Sequence, residues 1–424
     1  MLNTLPTVKT LANGLKVAYF EFKGLESTTI NLRSYAGSSA ELPTELGIAH
    51  FFEHMAFEGT QKYPDSVSLR KQINSKGGNF NGATGRTDVT FYTKLLKDDV
   101  ETGFDVLSQL VVHPLIPADK VDKQKSVIKQ EIIRMQNSPE KYIIRLSKFL
   151  MYPKQRLEFL STGDLPDIDR IEHKTLVEFY NRNYSANNFV LSVCGDLDTE
   201  KVFALAEKYF AEFKTGIEIN LPKSVPETDF KVMVNNKSQL NKAYIYISYA
   251  GFEPFTKETY ALSMLSHILG GDSSSLLFRL VREEAGLAYN ISSNYTSETN
   301  FSVFSIATGV DQDKVEELIK KIKQAINIVT TELTDEESFQ NLKQTIKANF
   351  IFSFEKGSVI SDLYSDYLLK APQGFNHLTN MQMLDEVSKQ DILDAAKKVF
   401  SQNPQIAVIS ESLNDEQIKS YWLA

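Results

Sequence analysis

The segment His50-Phe51-Phe52-Glu53-His54 has the pattern H-x-x-E-H, and the rest of the chain can be interpreted from it. Residues four apart on a helix project from one face, one turn apart. The two imidazoles can therefore bind the same tetrahedral Zn²⁺ ion. Glu53 lies near the same face, close enough to reach a water molecule on that ion. The segment thus predicts two metal ligands and a base on one helix.

The residues around the motif indicate that this helix is buried. Apolar side chains cover nearly all of its faces, as in a helix that lies in a core. They are Ile48, Ala49, Phe51, Phe52, Met55 and Phe57. A glutamate and two histidines buried there would cost several kcal/mol unless something paired with them, and a metal ion supplies such pairing. The alternative is a set of solvated or internally hydrogen-bonded histidines.

A carboxylate is the expected third ligand, because catalytic zinc sites use three protein ligands. Residues 126–135 have a strong helical pattern, in which Glu131 lies among Ile128, Ile132 and Met135. A carboxylate on such an apolar face needs a partner. Either a metal ion or an ordinary buried salt bridge would provide one.

Taken together, these residues resemble the pitrilysin and mitochondrial processing peptidase family of zinc metallopeptidases. In that family a glutamate ligand follows H-x-x-E-H after a gap of 76 residues, and residues 55–130 fill that gap here. The resemblance implies that His50, His54 and Glu131 hold one Zn²⁺ per chain and that Glu53 activates a water molecule.

One residue near the predicted ligand departs from the family pattern. The family usually has a glutamate seven residues before the ligand glutamate, and this position is Gln124 here. Two helical turns separate Gln124 from Glu131, so both face the same way. An uncharged neighbour of this kind can hydrogen-bond to a ligand but can weaken metal affinity or activity.

A glycine-rich segment extends the resemblance. Residues 77–84, GGNFNGAT, resemble the family's G-G-x-x-N-A-x-T segment, an edge strand that pairs with the substrate backbone. This implies that Asn81, Gly82 and Ala83 bind peptide by strand addition, which reads main chain rather than side chains. Gly82 stands where the family usually has alanine. The alternative is a Gly-Asn turn that leads into the next strand.

The second half carries a further part of the pattern. In the family, an arginine and a tyrosine seven residues later contact the substrate, and Arg282 and Tyr289 have that spacing. A tyrosine hydroxyl can stabilise an oxyanion, and an arginine can bind a carbonyl or carboxylate. Arg279 lies one turn before Arg282, and spacing favours Arg282. The alternative is a surface arginine and a half-buried tyrosine after a glycine-capped helix.

The predicted elements occur twice in the same order, as in a diverged internal duplication. Strands are predicted over 14–19, 28–32, 89–96, 189–193, 243–250, 300–307 and 406–409, and helices over 66–76, 98–112, 118–136, 199–213, 260–269, 275–285, 313–329 and 335–354. We therefore expect an α+β protein of two homologous domains, each a mixed or antiparallel sheet with helices packed on it. Residues 1–214 form the metal-binding catalytic domain, 215–230 a linker, and 231–424 a substrate-binding domain of similar fold.

Composition excludes several classes of protein. The net charge is −8, which argues against nucleic acid as a partner. Cys194 is the single cysteine, so an intrachain disulfide is impossible. The N-terminus has neither an apolar run nor a basic leader, and no stretch is long enough to span a membrane. We expect a cytoplasmic protein.

The resemblance implies a zinc-dependent endopeptidase that hydrolyses unfolded peptides inside a chamber formed by two chains. One chain supplies the metal, and the other supplies the arginine and tyrosine. This chain carries both sets, so a homodimer is expected, and a heterodimer is the alternative. Two other functions stay open, a non-catalytic partner subunit and a protease dedicated to maturing one peptide.

Overall fold

The computed structural model describes residues 3–424, which form two compact units. Each unit is built from three separate stretches of the chain. The first unit contains the chain up to Ile132, Leu160–Pro222 and Ala348–Thr379, and the second contains Ile133–Phe159, Lys223–Lys347 and Asn380–Ala424. Within residues 3–424, no helix combines the length and the apolarity needed to cross a bilayer.

Strands and helices are interspersed along the chain. The strands are β1 (Thr7–Thr10), β2 (Lys16–Glu21), β3 (Ser27–Ser34), β4 (Asn79–Thr84), β5 (Val89–Leu96), β6 (Phe189–Gly195), β7 (Lys231–Asn236), β8 (Lys242–Ala250), β9 (Ile291–Ser297), β10 (Ser302–Asp311) and β11 (Gln405–Ser410). The first eight helices are α1 (Ile48–Ala56), α2 (Ser66–Asn74), α3 (Val100–Val112), α4 (Val121–Gln136), α5 (Pro139–Met151), α6 (Leu165–Arg170), α7 (His173–Asn183) and α8 (Thr199–Phe210). The others are α9 (Lys257–Gly270), α10 (Val315–Thr331), α11 (Glu336–Ser353), α12 (Gly357–Lys370), α13 (His377–Asp385), α14 (Lys389–Phe400) and α15 (Asp415–Leu423).

The two sheets have the same strand order apart from one added edge strand. The first sheet runs β1-β2-β6-β3-β5-β4, and the second runs β7-β11-β8-β10-β9. In each sheet one pair is parallel, β2 with β6 and β7 with β11, and the other neighbours are antiparallel. The predicted α+β class, with two similarly built sheets and helices packed on them, is confirmed.

Strand β2 is apolar at successive positions because both faces of the first sheet are covered. Val17 and Tyr19 pack into the main core of the first unit, whereas Ala18 and Phe20 belong to a second cluster with residues of α12. There the ring of Tyr364 stacks on Phe20 with centroids 5.8 Å apart. Alternate residues of β2 therefore serve two different cores.

Each sheet is covered by a helix from the other half of the sequence. Helix α12 packs on β3 and β6 of the first sheet, where the Ser361 hydroxyl donates to the Ser192 carbonyl at 2.8 Å. Helix α5 packs on β8 and β11 of the second sheet, and the hydroxyl oxygens of Ser147 and Ser248 lie 2.6 Å apart. The predicted domain boundaries, which divide the chain at 215–230, stay a prediction, since these units are defined by contacts.

Several elements differ from expectation, two of them for clear local reasons. The predicted helix over 275–285 contains a π-helical turn at Phe278–Glu283, in which the Glu284 N–H donates to the Arg279 carbonyl at 2.9 Å. So short a change of helical period leaves no clear signal in the apolar pattern. Strands β7 and β9 are not among the predicted elements, because many of their residues are polar and only partly buried.

Candidate metal centre

Helix α1 is fixed in place at its first turn. Gly47 precedes it with φ of 85°, and a β-carbon at this position would lie 2.4 Å from the Thr162 carbonyl oxygen. Only glycine combines this left-handed backbone with so close an approach. The buried Glu41 carboxylate accepts from the backbone N–H groups of Gly47 and Ala49 at 2.9 and 3.1 Å. These contacts set where the histidines of the helix point.

The structure brings the three predicted metal ligands together. His50 and His54 lie one turn apart on α1, with ring centroids 4.6 Å apart, and Glu131 approaches them from α4. Its Oε2 atom lies 3.7 Å from the Nε2 atom of each histidine. One ligand atom from each residue can be chosen so that all lie within 4.8 Å of one another. In the part of the chain that the structure describes, this is the one group of three such side chains that could hold a metal ion.

The geometry and chemistry of this group fit zinc. Two ligand atoms at the usual zinc distances on a tetrahedron are roughly 3.4 Å apart, so separations of 3.7 Å need only small adjustments. Burial, with a smaller effect from the neighbouring His54, lowers the pKa of His50 to about 3. His50 is therefore neutral and keeps a lone pair for a metal ion. Two imidazoles and one carboxylate leave a fourth position open, as in catalytic zinc sites.

Gln124 lies beside the ligands and contacts His54. Its Oε1 atom is 3.1 Å from Nδ1 of His54, and its Nε2 atom donates to Oε1 of Glu58 at 2.5 Å. The Lys123 ammonium lies 3.1 Å from the same oxygen of Glu58. Glu58 is absent from the sequence predictions, since it lies beyond the end of α1 at Ala56, where helical spacing no longer relates it to His54.

The predicted base, Glu53, is buried beside the ligands. Its side chain accepts a hydrogen bond at 2.9 Å from the Thr84 hydroxyl on β4. Burial raises the pKa of Glu53, although the Thr84 hydrogen bond and His54 act in the opposite direction. Thr84 also escaped prediction, because only the register of the sheet brings it to α1.

Strand β4 forms one wall of a cavity of about 470 Å³ that contains the ligands and Glu53. Asn81, Gly82 and Ala83 line this cavity. Within the described residues, β4 pairs with β5 on one side and has no strand on the other. Gly82 lies directly against the base, since a β-carbon there would be 2.7 Å from Oε1 of Glu53. A similar cavity of about 490 Å³ lies in the second unit, so size alone does not identify the site.

Arg282 and Tyr289 lie in the second unit and contact each other. The Arg282 guanidinium donates to the Tyr289 carbonyl at 2.9 Å and lies 4.3 Å from the centre of its ring. The Tyr289 side chain is exposed. Gly286, with φ of 62°, ends the helical turn between them. Arg279 instead has Glu284 as its partner, with Nε 3.9 Å from Oε1. The roles of Arg282 and Tyr289 in binding stay predictions.

Two family models match successive parts of the chain. The family model described as "Insulinase (Peptidase family M16)" matches residues 17–158, and the one described as "Peptidase M16 inactive domain" matches residues 170–346. The four residues of the predicted metal site and base all lie within the first match.

Relatives cover nearly the whole chain. An "Uncharacterized zinc protease" of Rickettsia felis is 28% identical over 405 residues, which are 95% of this chain and 97% of that protein. The "Mitochondrial-processing peptidase subunit beta" of Neurospora crassa is 23% identical over 418 residues, which are 94% of this chain and 87% of that protein.

A solved structure extends the likeness to the fold. A protease from Helicobacter pylori has a TM-score of 0.89 at 23% identity, over 96% of this chain and 100% of that one. Both M16 domains are matched in order, and the relatives named as zinc proteases span almost every residue of the chain. This chain therefore belongs to the M16 family of metallopeptidases.

Proposed function

We propose that this chain is a zinc-dependent endopeptidase that hydrolyses unfolded peptides. One observation carries the proposal. The ligand group of His50, His54 and Glu131 shares its cavity with a buried acid, Glu53, and with the edge of β4 that no described strand pairs with. A metal site, a base and a surface that can bind peptide main chain are the three parts that such a reaction requires.

The edge of β4 would hold the substrate. An extended peptide that adds as a further strand forms main-chain hydrogen bonds with Asn81, Gly82 and Ala83, whatever its side chains are. A folded protein cannot offer a free extended segment, so strand addition selects unfolded chains. The peptide would lie beside Glu53, because a β-carbon at Gly82 would be only 2.7 Å from Oε1 of that carboxylate.

Glu53 would act as general base and then as general acid. It takes a proton from the attacking water molecule and delivers it to the nitrogen of the leaving amine. Burial raises the pKa of Glu53, which suits a group that must hold a proton between these steps. The Thr84 hydroxyl fixes the carboxylate from the β4 side. A zinc ion on the three ligands would polarise the peptide carbonyl and acidify the water.

Metal analysis and peptide cleavage test this proposal together. We expect one zinc ion per chain and chelator-sensitive cleavage of a quenched peptide. Glu53→Gln keeps the shape of the side chain but removes the base, so it should retain zinc and lose cleavage by at least about a hundredfold. Glu207→Gln, the same change at an exposed glutamate of α8, is the control. Full activity of Glu53→Gln would refute the role given to Glu53.

The same assay separates the alternative of a non-catalytic partner subunit. The family match described as an inactive domain covers residues 170–346, whereas the ligands and base lie before it. A chain that retains all four of these residues is therefore expected to be competent. Stoichiometric zinc without cleavage, and cleavage only after a second protein is added, would favour the partner subunit.

We extend the proposal to a homodimer in which Arg282 and Tyr289 of one copy bind the peptide held at the metal centre of the other. Complementation tests this arrangement directly. Glu53→Gln and Tyr289→Phe chains are mixed and reassembled, so about half of the dimers contain one chain of each kind. Each mixed dimer has one undamaged site out of two, so about a quarter of full activity should return. Were both residues supplied to a site by the same chain, mixing would restore nothing.

A further inference from the structure

Gln124 joins the zinc ligand His54 to a buried carboxylate, that of Glu58. Oε1 of Gln124 lies 3.1 Å from Nδ1 of His54, and Nε2 donates to Glu58 at 2.5 Å. Glu58 is buried, with 7% of its surface exposed. Lys123 balances its charge, since the ammonium lies 3.1 and 3.4 Å from its two oxygens.

The carboxylate determines which way the amide points. An ionised carboxylate only accepts hydrogen bonds, so the Gln124 atom that faces Glu58 must be the NH₂ group. If the amide were reversed, two oxygens would face each other at 2.5 Å. The carbonyl of Gln124 is therefore directed at His54.

The amide in turn determines the tautomer of His54. A carbonyl oxygen accepts only, so the neutral imidazole must carry its proton on Nδ1. Its Nε2 lone pair then points at Glu131, whose Oε2 lies 3.7 Å away. His50 has no comparable support, because its buried Nδ1 has no hydrogen-bond partner among the described residues.

We propose that Glu58 and Gln124 act as positioning residues that hold His54 in its zinc-binding tautomer. This rests on the zinc site of the proposed function and adds a specific pairing to it. A carboxylate commonly contacts a zinc-bound histidine directly. Here the amide of Gln124 contacts His54, and the carboxylate of Glu58 contacts the amide instead of the histidine.

The test exchanges amide and carboxylate between the two positions in the full-length chain. Gln124→Glu places two carboxylates in contact, so the new side chain turns away and zinc affinity falls roughly tenfold to a hundredfold. Glu58→Gln alone releases the amide and also weakens binding. The double variant Gln124→Glu/Glu58→Gln again pairs one carboxylate with one amide, and should bind zinc within about threefold of the unmodified chain.

Zinc affinity is measured by competition with a chromophoric chelator, which needs no peptidase activity. Gln61→Glu, the same change at an exposed glutamine that does not line the cavity, should leave it unaltered. Equal affinity of Gln124→Glu and the unmodified chain would overturn the proposal, as would a double variant no tighter than Gln124→Glu.

The tautomer gives a second readout that needs no variant. In the metal-free chain, the ¹⁵N shifts of neutral His54 should show the proton on Nδ1. A proton on Nε2 would overturn the proposal even if the variants failed to fold. If the tautomer is as expected but the unmodified chain binds no zinc, the proposed zinc-dependent function is refuted, whereas the contact of Gln124 with His54 is supported.

Discussion

Replacement of Gly82 by alanine should displace the base without disturbing the ligands. A β-carbon at this position would lie 2.7 Å from Oε1 of Glu53, 2.9 Å from its Cγ and 2.9 Å from a ring carbon of Phe57. The Phe57 ring is held between Phe80 and Phe91, with centroids 5.5 and 6.0 Å away. The ring cannot readily retreat, so the Glu53 side chain has to move.

The size of the effect follows from what Glu53 loses. Its 2.9 Å hydrogen bond with Thr84 contributes about 1–3 kcal/mol, and a shift of this carboxylate breaks or lengthens it. A misplacement of about 1 Å at a reacting group can cost on the order of a hundredfold in rate. We therefore expect Gly82→Ala to lower kcat by roughly tenfold to a hundredfold. KM should change by less than about threefold, because the β4 main chain that binds substrate is retained.

Steady-state cleavage of a quenched peptide, with zinc content measured on the same sample, checks this expectation. Gly309→Ala is the control, because it adds the same methyl group to strand β10 with 3.3 Å to the nearest atom, in the Tyr244 ring. An unchanged kcat in Gly82→Ala, at full zinc content, would show that the added methyl group does not displace the Glu53 carboxylate, and it would refute this reasoning. A raised KM with unchanged kcat would instead place the effect on the substrate strand.

Three further outcomes follow from buried groups. Burial raises the pKa of Glu53 above its ordinary value, so its contribution to stability is full below the unfolded pKa and is lost as pH rises through the folded pKa. Urea unfolding of the metal-free chain should therefore show Glu53→Gln to be more stable than the unmodified chain at neutral pH, with the difference vanishing below about pH 4. Burial raises the pKa of the Cys194 thiol to about 12, so a thiol reagent should modify it only after unfolding, and rapid labelling of the native chain would contradict this. Arg33 is mostly buried and lies 3.1 Å from Asp88 and 2.5 Å from both Asp366 and the more exposed Asp362. Because Lys370 still pairs with Asp88 at 3.0 Å and with Asp366 at 2.8 Å, Arg33→Ala should cost about 1–3 kcal/mol in chemical denaturation, and no measurable loss would show the network to be dispensable.

The ligands and the base could be predicted from the sequence to different degrees. His50, Glu53 and His54 lie within one turn or so of a helix, where spacing alone fixes their geometry. Glu131 has no local connection to them, and only the resemblance distinguishes it from an ordinary acid in a salt bridge. The structure places it 3.7 Å from both histidines, which no periodic pattern could have supplied.

The parts of the fold that escaped prediction depend on long-range packing. The apolar faces of α5 and α12 indicate burial, but a face does not specify which sheet will cover it. Ser361 on α12 contacts Ser192 on β6, 169 residues earlier in the chain. Such a contact follows from the folding of the whole unit rather than from local sequence.

The two departures from the family pattern lie at the same site, and each has a structural counterpart. Gly82 lacks the methyl group of alanine, and a β-carbon there would lie 2.7 Å from the Glu53 carboxylate. Gln124 removes a charge beside His54, and Glu58 restores a carboxylate on the far side of the amide. A comparison of the sequences alone would treat both residues as departures from the functional pattern. In three dimensions the glycine makes space for the base, and the amide carries the orienting effect of a carboxylate to the ligand, so neither change by itself argues against a working metal centre.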